Sequence, residues 1–338
     1  MDSLTQIVLG AGVGEAVLGR KIGNKAILWG AIGGTIPDLD VFLQFFLSDI
    51  HALYLHRSFS HSILFFVLIS PILALLVQKI HKKCQVSFKE WTFYFFMVTF
   101  THAILDSFTS WGTQLFWPMP WRIRFNNIFV ADPLYTVPFL TCIVVLMWFH
   151  RTSSTRRKIN NLGLILSSGY MALTIVFKLL VLSDVKADLE IESVEYSHLS
   201  TRPSPLNSIL WNATVEKEDT YLLGYRSLFD TGEMEWTEMK KNWHLIDPYK
   251  DNIDVQRVIF LSQGYYIAIP DPDGIYIIDL RFGQPEGIMV GDDRFVFGYH
   301  VSHDVNGAVV VKEKPRPDPS WEEVKAAFGG LFERAKGI

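Results

Sequence analysis

The run Leu162–Leu182 is 21 residues long and holds a single charge, Lys178. As a helix it is long enough to cross the ~30 Å hydrocarbon core of a bilayer. Five further apolar runs precede it, at Leu4–Leu18, Ala26–Ile36, Ser62–Ile80, Trp91–Leu105 and Leu134–Phe149. Together they predict a multispanning α-helical membrane domain over residues 1–182. The first two runs are the shortest and the richest in glycine, with Gly10, Gly12, Gly14 and Gly19, then Gly30, Gly33 and Gly34. Lipid gives helices no hydrophobic drive to associate, and small residues let their backbones approach. They are expected to form a tightly packed pair, with a buried hairpin that only partly crosses as the competing reading.

Basic residues alternate between loops. Arg20, Lys21 and Lys25 follow the first run, Lys79, Lys82, Lys83 and Lys89 the third, and Arg151, Arg156, Arg157 and Lys158 the fifth. Short loops rich in Lys and Arg stay cytoplasmic. Six crossings then place the loops at 37–61 and 106–133, and everything after Ser183, on the outer side. There is no basic leader before the first run, so a cleaved signal peptide is not expected.

Ionisable groups gather on that same outer side. Asp38 and Asp40 close the second run, His56 and His61 flank Arg57-Ser58-Phe59-Ser60, His102 and Asp106 end the fourth, and Asp132 stands before Pro133. Asp2 precedes the first. His102 and Asp106 are four apart and share a helix face. An extended Asp38-Leu39-Asp40 would turn both carboxylates to one side. Taken singly, these are a buried hydrogen-bonded pair, a capping turn, loop histidines and a helix start. Taken together they suggest a metal centre, because such groups at membrane depth are costly unless paired or ligated. Imidazole and carboxylate donors suit zinc, iron or manganese, and no cysteine is placed to help. The expected cofactor is a divalent metal, zinc ahead of manganese or iron. The expected ligands are Asp38, Asp40, His56, His61, His102, Asp106 and Asp132. Arg57 would stabilise developing negative charge, and Asp38 or Asp106 would handle water or a proton.

At these residues the chain resembles the membrane-bound, metal-dependent hydrolase family, also described as LexA-binding, inner-membrane-associated hydrolases (YdjM-like). The matching pieces are Asp2-Ser3-Leu4-Thr5, Pro37-Asp38-Leu39-Asp40, His56 through Ser62, His102 with Asp106, and Asp132-Pro133-Leu134. The resemblance covers roughly residues 1–180. It implies a bacterial or archaeal cytoplasmic (inner) membrane protein. It also implies, through a distant similarity to helical zinc-dependent phospholipases C and nucleases, a phosphoester substrate. A site facing the interface would make that substrate lipid-linked. Many family members carry Thr-His in the first helix, whereas this chain has Thr5-Gln6; a changed ligand set follows if that histidine ligates elsewhere. A non-catalytic metal-stabilised scaffold or signalling protein, and a transporter, are the alternatives.

Residues 183–338 are acidic and lack cysteine, so no disulfide framework holds them. Short Val, Ile, Tyr and Phe runs at Trp211–Val215, Tyr221–Arg226, Ile253–Ile269, Gly274–Phe282, Arg294–His300 and Ala308–Lys312 predict strands and turns. Ser320 and Glu323 form a capping-box pattern opening a last helix that reaches about Lys336. The fold class is thus a membrane helical domain followed by a strand-rich α+β extracytoplasmic domain. Asp271, Asp273, Asp292 and Asp293 match no calcium loop and read as turns. The acidic balance excludes nonspecific nucleic-acid binding. Membrane lipids, a lipid-linked substrate and an envelope protein are the expected partners.

Overall fold

The computed structural model describes residues 1–283, 295, 297–314 and 320–337. Asp292, Asp293, Arg294 and the segment Pro315–Pro319, whose three prolines read as a stiff boundary before the last helix, lie outside the described residues. The chain forms two compact units. One comprises Met1–Leu43, Leu55–Ile175 and Pro205–Asn207, the other Gln44–Tyr54, Val176–Ser204 and Ser208–Ile338.

The first unit is helical. In chain order come α1 (Ser3–Ile22), α2 (Asn24–Thr35), a 3-10 helix Pro37–Phe45, α3 (Asp49–Leu55), a 3-10 turn Phe59–His61, α4 (Ile63–Ile80), α5 (Phe88–Ser107), α6 (Pro133–Leu146) and α7 (Ser154–Ile191). Most of α3, and α7 from Val176 onward, belong to the second unit. Among the described residues two helices, α4 and α7, are long and apolar enough to cross a membrane. A third span results if α2 and the following 3-10 helix, bent by 45°, count as one. Of the other runs read as spans, α6 has only 14 residues, and α5 carries Thr99, Thr101, His102 and Asp106 in its last turns.

The glycine pattern has the structural meaning expected of it. A Cβ on Gly10 would run into the carbonyl oxygen of Gly30, and one on Gly34 would lie 2.6 Å from the carbonyl oxygen of Gln6. Helices α1 and α2 therefore touch backbone to backbone. Tyr94 of α5 closes the pair by donating its hydroxyl to the Ala26 carbonyl. Gly30→Ala is expected to cost ~1–3 kcal/mol, the usual penalty for overpacking, read as a drop in unfolding midpoint in detergent. An unchanged midpoint would mean that the helices can separate without loss.

The membrane-type helix α7 does not stop near Leu182. It continues to Ile191, because Val181, Val185 and Leu189 keep a four-residue apolar spacing and pack with Trp211, Ala213 and Val215. Among its described residues the second unit holds two antiparallel four-stranded meanders. The first is β1 (His198–Pro203), β2 (Leu210–Glu216), β3 (Thr220–Ser227) and β4 (Trp236–Lys240). The second is β5 (Tyr266–Asp271), β6 (Gly274–Asp279), β7 (Phe297–His303) and β8 (Val309–Glu313). Each strand pairs with the next in sequence.

One strand expectation fails: Ile253–Leu261 is a helix, α8. Asn252 caps it by accepting from the amides of Asp254 and Val255. Its apolar residues Val255, Val258 and Leu261 recur every third position, a helical period rather than an alternating one. The second sheet and α8 share a core with Ile50, contributed by α3. The last helix, α9 (Trp321–Ala335), opens with the expected reciprocal Ser320–Glu323 capping box. Asp271 and Asp273 sit at the β5–β6 hairpin, where Asp271 pairs with Gly274 and takes an ion pair from His300 at 3.2 Å.

Candidate metal centre

The centre is built at the ends of short elements. Asp38 and Asp40 lie in the first turn of the 3-10 helix Pro37–Phe45. They are not extended, as the sequence reading supposed; Pro37 starts a helical turn instead. That turn sends the two carboxylates to opposite nitrogens of one imidazole. Asp38 Oδ1 is 3.2 Å from His61 Nε2, and Asp40 Oδ2 is 3.6 Å from His61 Nδ1. His61 ends the turn Phe59–His61, and Ser62 caps α4 immediately after it by accepting from the Phe65 amide. His102 and Asp106, one helical turn apart on α5, complete the group, with Nε2 and Oδ2 3.5 Å apart.

Four side chains converge. Asp38, His61, His102 and Asp106 each offer one ligand atom, all within 4.8 Å of one another. His61 Nε2 lies 3.2 Å from His102 Nε2 and 3.3 Å from Asp106 Oδ2. His102 Nε2 lies 3.5 Å from Asp38 Oδ1. Zinc bonds of ~2.0–2.1 Å in a tetrahedron require ligand atoms about 3.3 Å apart, so five of the six edges fit such an ion. The tautomers fit as well. The Gly34 carbonyl can only accept, so His102 Nδ1, 2.6 Å away, donates to it and turns the Nε2 lone pair inward. Asp106 Oδ2 is buried and faces His61 Nε2, His102 Nε2 and Arg57 Nε at 3.3–3.5 Å without an aligned hydrogen bond.

Around these four lies a supporting layer. Ser60 Oγ sits 2.9 Å from His61 Nδ1 and donates to Asp40. Asp40 also holds His56 Nδ1 at 2.7 Å and accepts from the Arg57 amide at 3.2 Å. Asp40 and His56, both expected as ligands, thus stand behind His61. Arg57 takes a left-handed backbone (φ 62°), a costly conformation for a non-glycine residue and one that clusters at functional sites. That backbone points its guanidinium inward, with Nε 3.4 Å from Asp106 Oδ2 and one terminal nitrogen 2.8 Å from Thr109 Oγ1. The Met1 amino group and Gln6 Nε2 both reach Asp106 Oδ1, the latter at 3.0 Å.

Burial alone would pull the His61 imidazole down. The facing carboxylates of Asp106, Asp38 and Asp40 outweigh it and push the group up to about 10; a cation held by the same carboxylates would displace that proton. His56 goes the other way: burial lowers it more than Asp40 raises it.

Asp132 does not join the four. It caps α6, where Oδ1 accepts from the Leu134 and Tyr135 amides and Oδ2 accepts from the Tyr170 hydroxyl at 2.8 Å. Asp2 likewise caps α1 through Thr5. Arg122 donates to the His56 carbonyl at 3.0 Å, and Asn127 to Thr174 at 2.8 Å; neither side chain is part of the four-residue group. Sequence reasoning missed the Gly34 carbonyl, because a backbone oxygen leaves no trace in residue types. It also missed the buried pair of Glu15 and Arg156, whose Nε and terminal nitrogen each lie 2.7 Å from a carboxylate oxygen. Arg156 reads as a loop charge until α7 is seen to begin at Ser154.

No curated protein and no solved structure matches the chain. The family model that does match covers residues 1–181, all four converging residues included. By that match the chain belongs to the YdjM inner membrane protein family.

Proposed function

We propose that the protein is a metal-dependent hydrolase of phosphoesters, acting on a lipid-linked substrate at the outer face of the inner membrane. In this reading the first unit crosses the membrane several times and the strand-rich unit is extracytoplasmic, where it meets substrate or an envelope partner. The supporting observation is the convergence of Asp38, His61, His102 and Asp106 on one point, with Asp38, the most exposed member, the ligand that a water would join or displace. Zinc is the favoured occupant, with manganese or iron as alternatives. When bound, such a cation brings the pKa of a coordinated water toward neutrality, giving a nucleophile at ordinary pH.

The chain's own groups supply the rest. His61, His102 and Asp106 side chains are 0–1 % exposed, whereas Asp38 is 22 % exposed, so solvent and substrate reach the centre from the Asp38 side. Arg57 holds a fixed positive charge beside Asp106, where a phosphoryl oxygen would gain negative charge. Asp40 orients His56 through Nδ1, which leaves His56 Nε2 to exchange a proton with the reaction. Exposed Phe59, Phe116, Trp117 and Trp121 lie in the same segments and suit contact with lipid chains and headgroups.

The test is phosphate release by the full chain in lipid nanodiscs, using phospholipid mono- and diesters beside water-soluble phosphoesters. Lipid substrates should turn over, chelator should stop them, and Arg57→Ala should slow them ~10²–10³-fold, the usual effect of losing one charge-stabilising donor. A tightly held cation with no turnover of any of these esters would defeat the hydrolase reading. It would favour the scaffold, to which a four-residue, fully protein-made ligand set also points.

A further inference from the structure

We propose that Gln6 is a positioning residue that, beside the Met1 amino group, holds Asp106 Oδ1 out of the coordination shell and so presents Oδ2 to the cation. This rests on reading the four-residue cluster as a cation site.

Gln6 lies in α1 and is 1 % exposed. Its Nε2 is 3.0 Å from Asp106 Oδ1 and 3.3 Å from the His102 carbonyl oxygen. Both neighbours are acceptors, so the chemistry fixes which end of the amide faces them. One donor group thus bridges two ligand-bearing residues of α5. The Gln6 N–H and the Met1 amino group both face Oδ1, which puts hydrogens and positive charge where a bidentate bond from Asp106 would have to form. Only Oδ2 is left facing the two imidazoles, 3.3 Å from His61 Nε2 and 3.5 Å from His102 Nε2.

The backbone explains why Gln6 holds that pose. Gly34 packs so closely on the Gln6 carbonyl that a Cβ there would come within 2.6 Å of it. The same Gly34 offers the carbonyl that orients His102. A single glycine contact between α1 and α2 therefore sets a supporting hydrogen bond for each of two ligands. The arrangement leaves Gln6 Oε1 buried without a partner. An amide kept in place despite that cost is being held for its nitrogen.

The test is a cobalt(II) titration of the cation-stripped full chain in detergent, followed by calorimetry and by ligand-field absorption. Wild type should saturate at one cobalt per chain. Gln6→Met keeps the length of the side chain and removes the donor. It should bind cobalt ~10–100-fold more weakly, the usual loss when a ligand's supporting partner is removed. Its absorption should also shift, because Asp106 loses one of the two donors that hold its carboxylate in place. A Gln6→Met protein with unaltered affinity and spectrum would overturn the role of Gln6 and leave the cation site standing. Wild type that takes up no cobalt would overturn the cation site itself. Gln6→Glu, which keeps the length but not the donor, repeats the test where Gln6→Met does not fold.

Discussion

Purified His102→Ala protein is expected to come off the column without its divalent cation, and to rebind one far more weakly than the ~10–100-fold loss typical of a missing supporting partner. The reason is geometric. His102 Nε2 is at 3.2–3.5 Å from the ligand atoms of the other three residues, so its removal takes away one corner of the tetrahedron. It also strips the Gly34 carbonyl of its donor. His102 is a better probe than Asp106, whose loss would leave the buried Arg57 beside it without its carboxylate and confound binding with folding. Asp132→Asn is the matched control. Its carbonyl oxygen can still cap α6, and the native carboxylate is occupied by two amides and Tyr170, so cation content should stay at the wild-type level. Elemental analysis of the three proteins decides the matter. A full complement of metal in His102→Ala removes the centre, and loss of metal in Asp132→Asn would return Asp132 to the ligand set.

How much of this was readable beforehand depends on what each residue does. His102 and Asp106 were legible because four-residue spacing on a helix fixes a shared face. His61 and Asp38 were legible as types, but their partners were not: whether Asp38 or Asp40 faces the shared point depends on a 3-10 turn instead of an extended run. Asp132 misled because Asp before Pro looks the same whether the carboxylate caps a helix or binds a cation. Only the Tyr170 hydroxyl, from a helix distant in sequence, marks the difference. Strands β2, β3 and β5 to β8 were visible as short Val, Ile, Tyr and Phe runs between turns, whereas β1 (His198–Pro203) and β4 (Trp236–Lys240) were not. Ile253–Leu261 was not, since its Val and Ile content suggests a strand while Asn252 and the three-residue apolar spacing dictate a helix. Glu15 and Arg156 stayed hidden because a pair separated by 141 positions has no local signature.

That hidden pair predicts the largest loss of stability. Arg156 is 2 % exposed and Glu15 7 %. The guanidinium grips both carboxylate oxygens at 2.7 Å and also reaches Asn24 Oδ1 at 2.7 Å and the Phe149 carbonyl at 3.0 Å. One turn on, Asn160 donates to the Gly12 carbonyl at 3.1 Å, so α7 is pinned to α1 at two successive levels. Arg156→Met leaves a carboxylate buried against apolar helices and should lower unfolding free energy by ~3–5 kcal/mol, as broken buried ion pairs do. Glu15→Leu combined with Arg156→Met should recover most of that loss. A pair's desolvation cost roughly offsets its attraction, so an apolar replacement of both is often near neutral. Glu15 lies nine residues from Gln6 along α1, or ~13 Å at 1.5 Å per residue. Cation affinity of the folded Arg156→Met protein should therefore stay within about threefold of wild type. Denaturant unfolding of wild type, Arg156→Met and the double variant in one detergent, read beside cobalt binding, separates the two effects. A single variant within ~1 kcal/mol of wild type would mean that the pair is hydrated and not a latch. A drop in cation affinity as large as that of His102→Ala would mean that the far end of α1 moves with it.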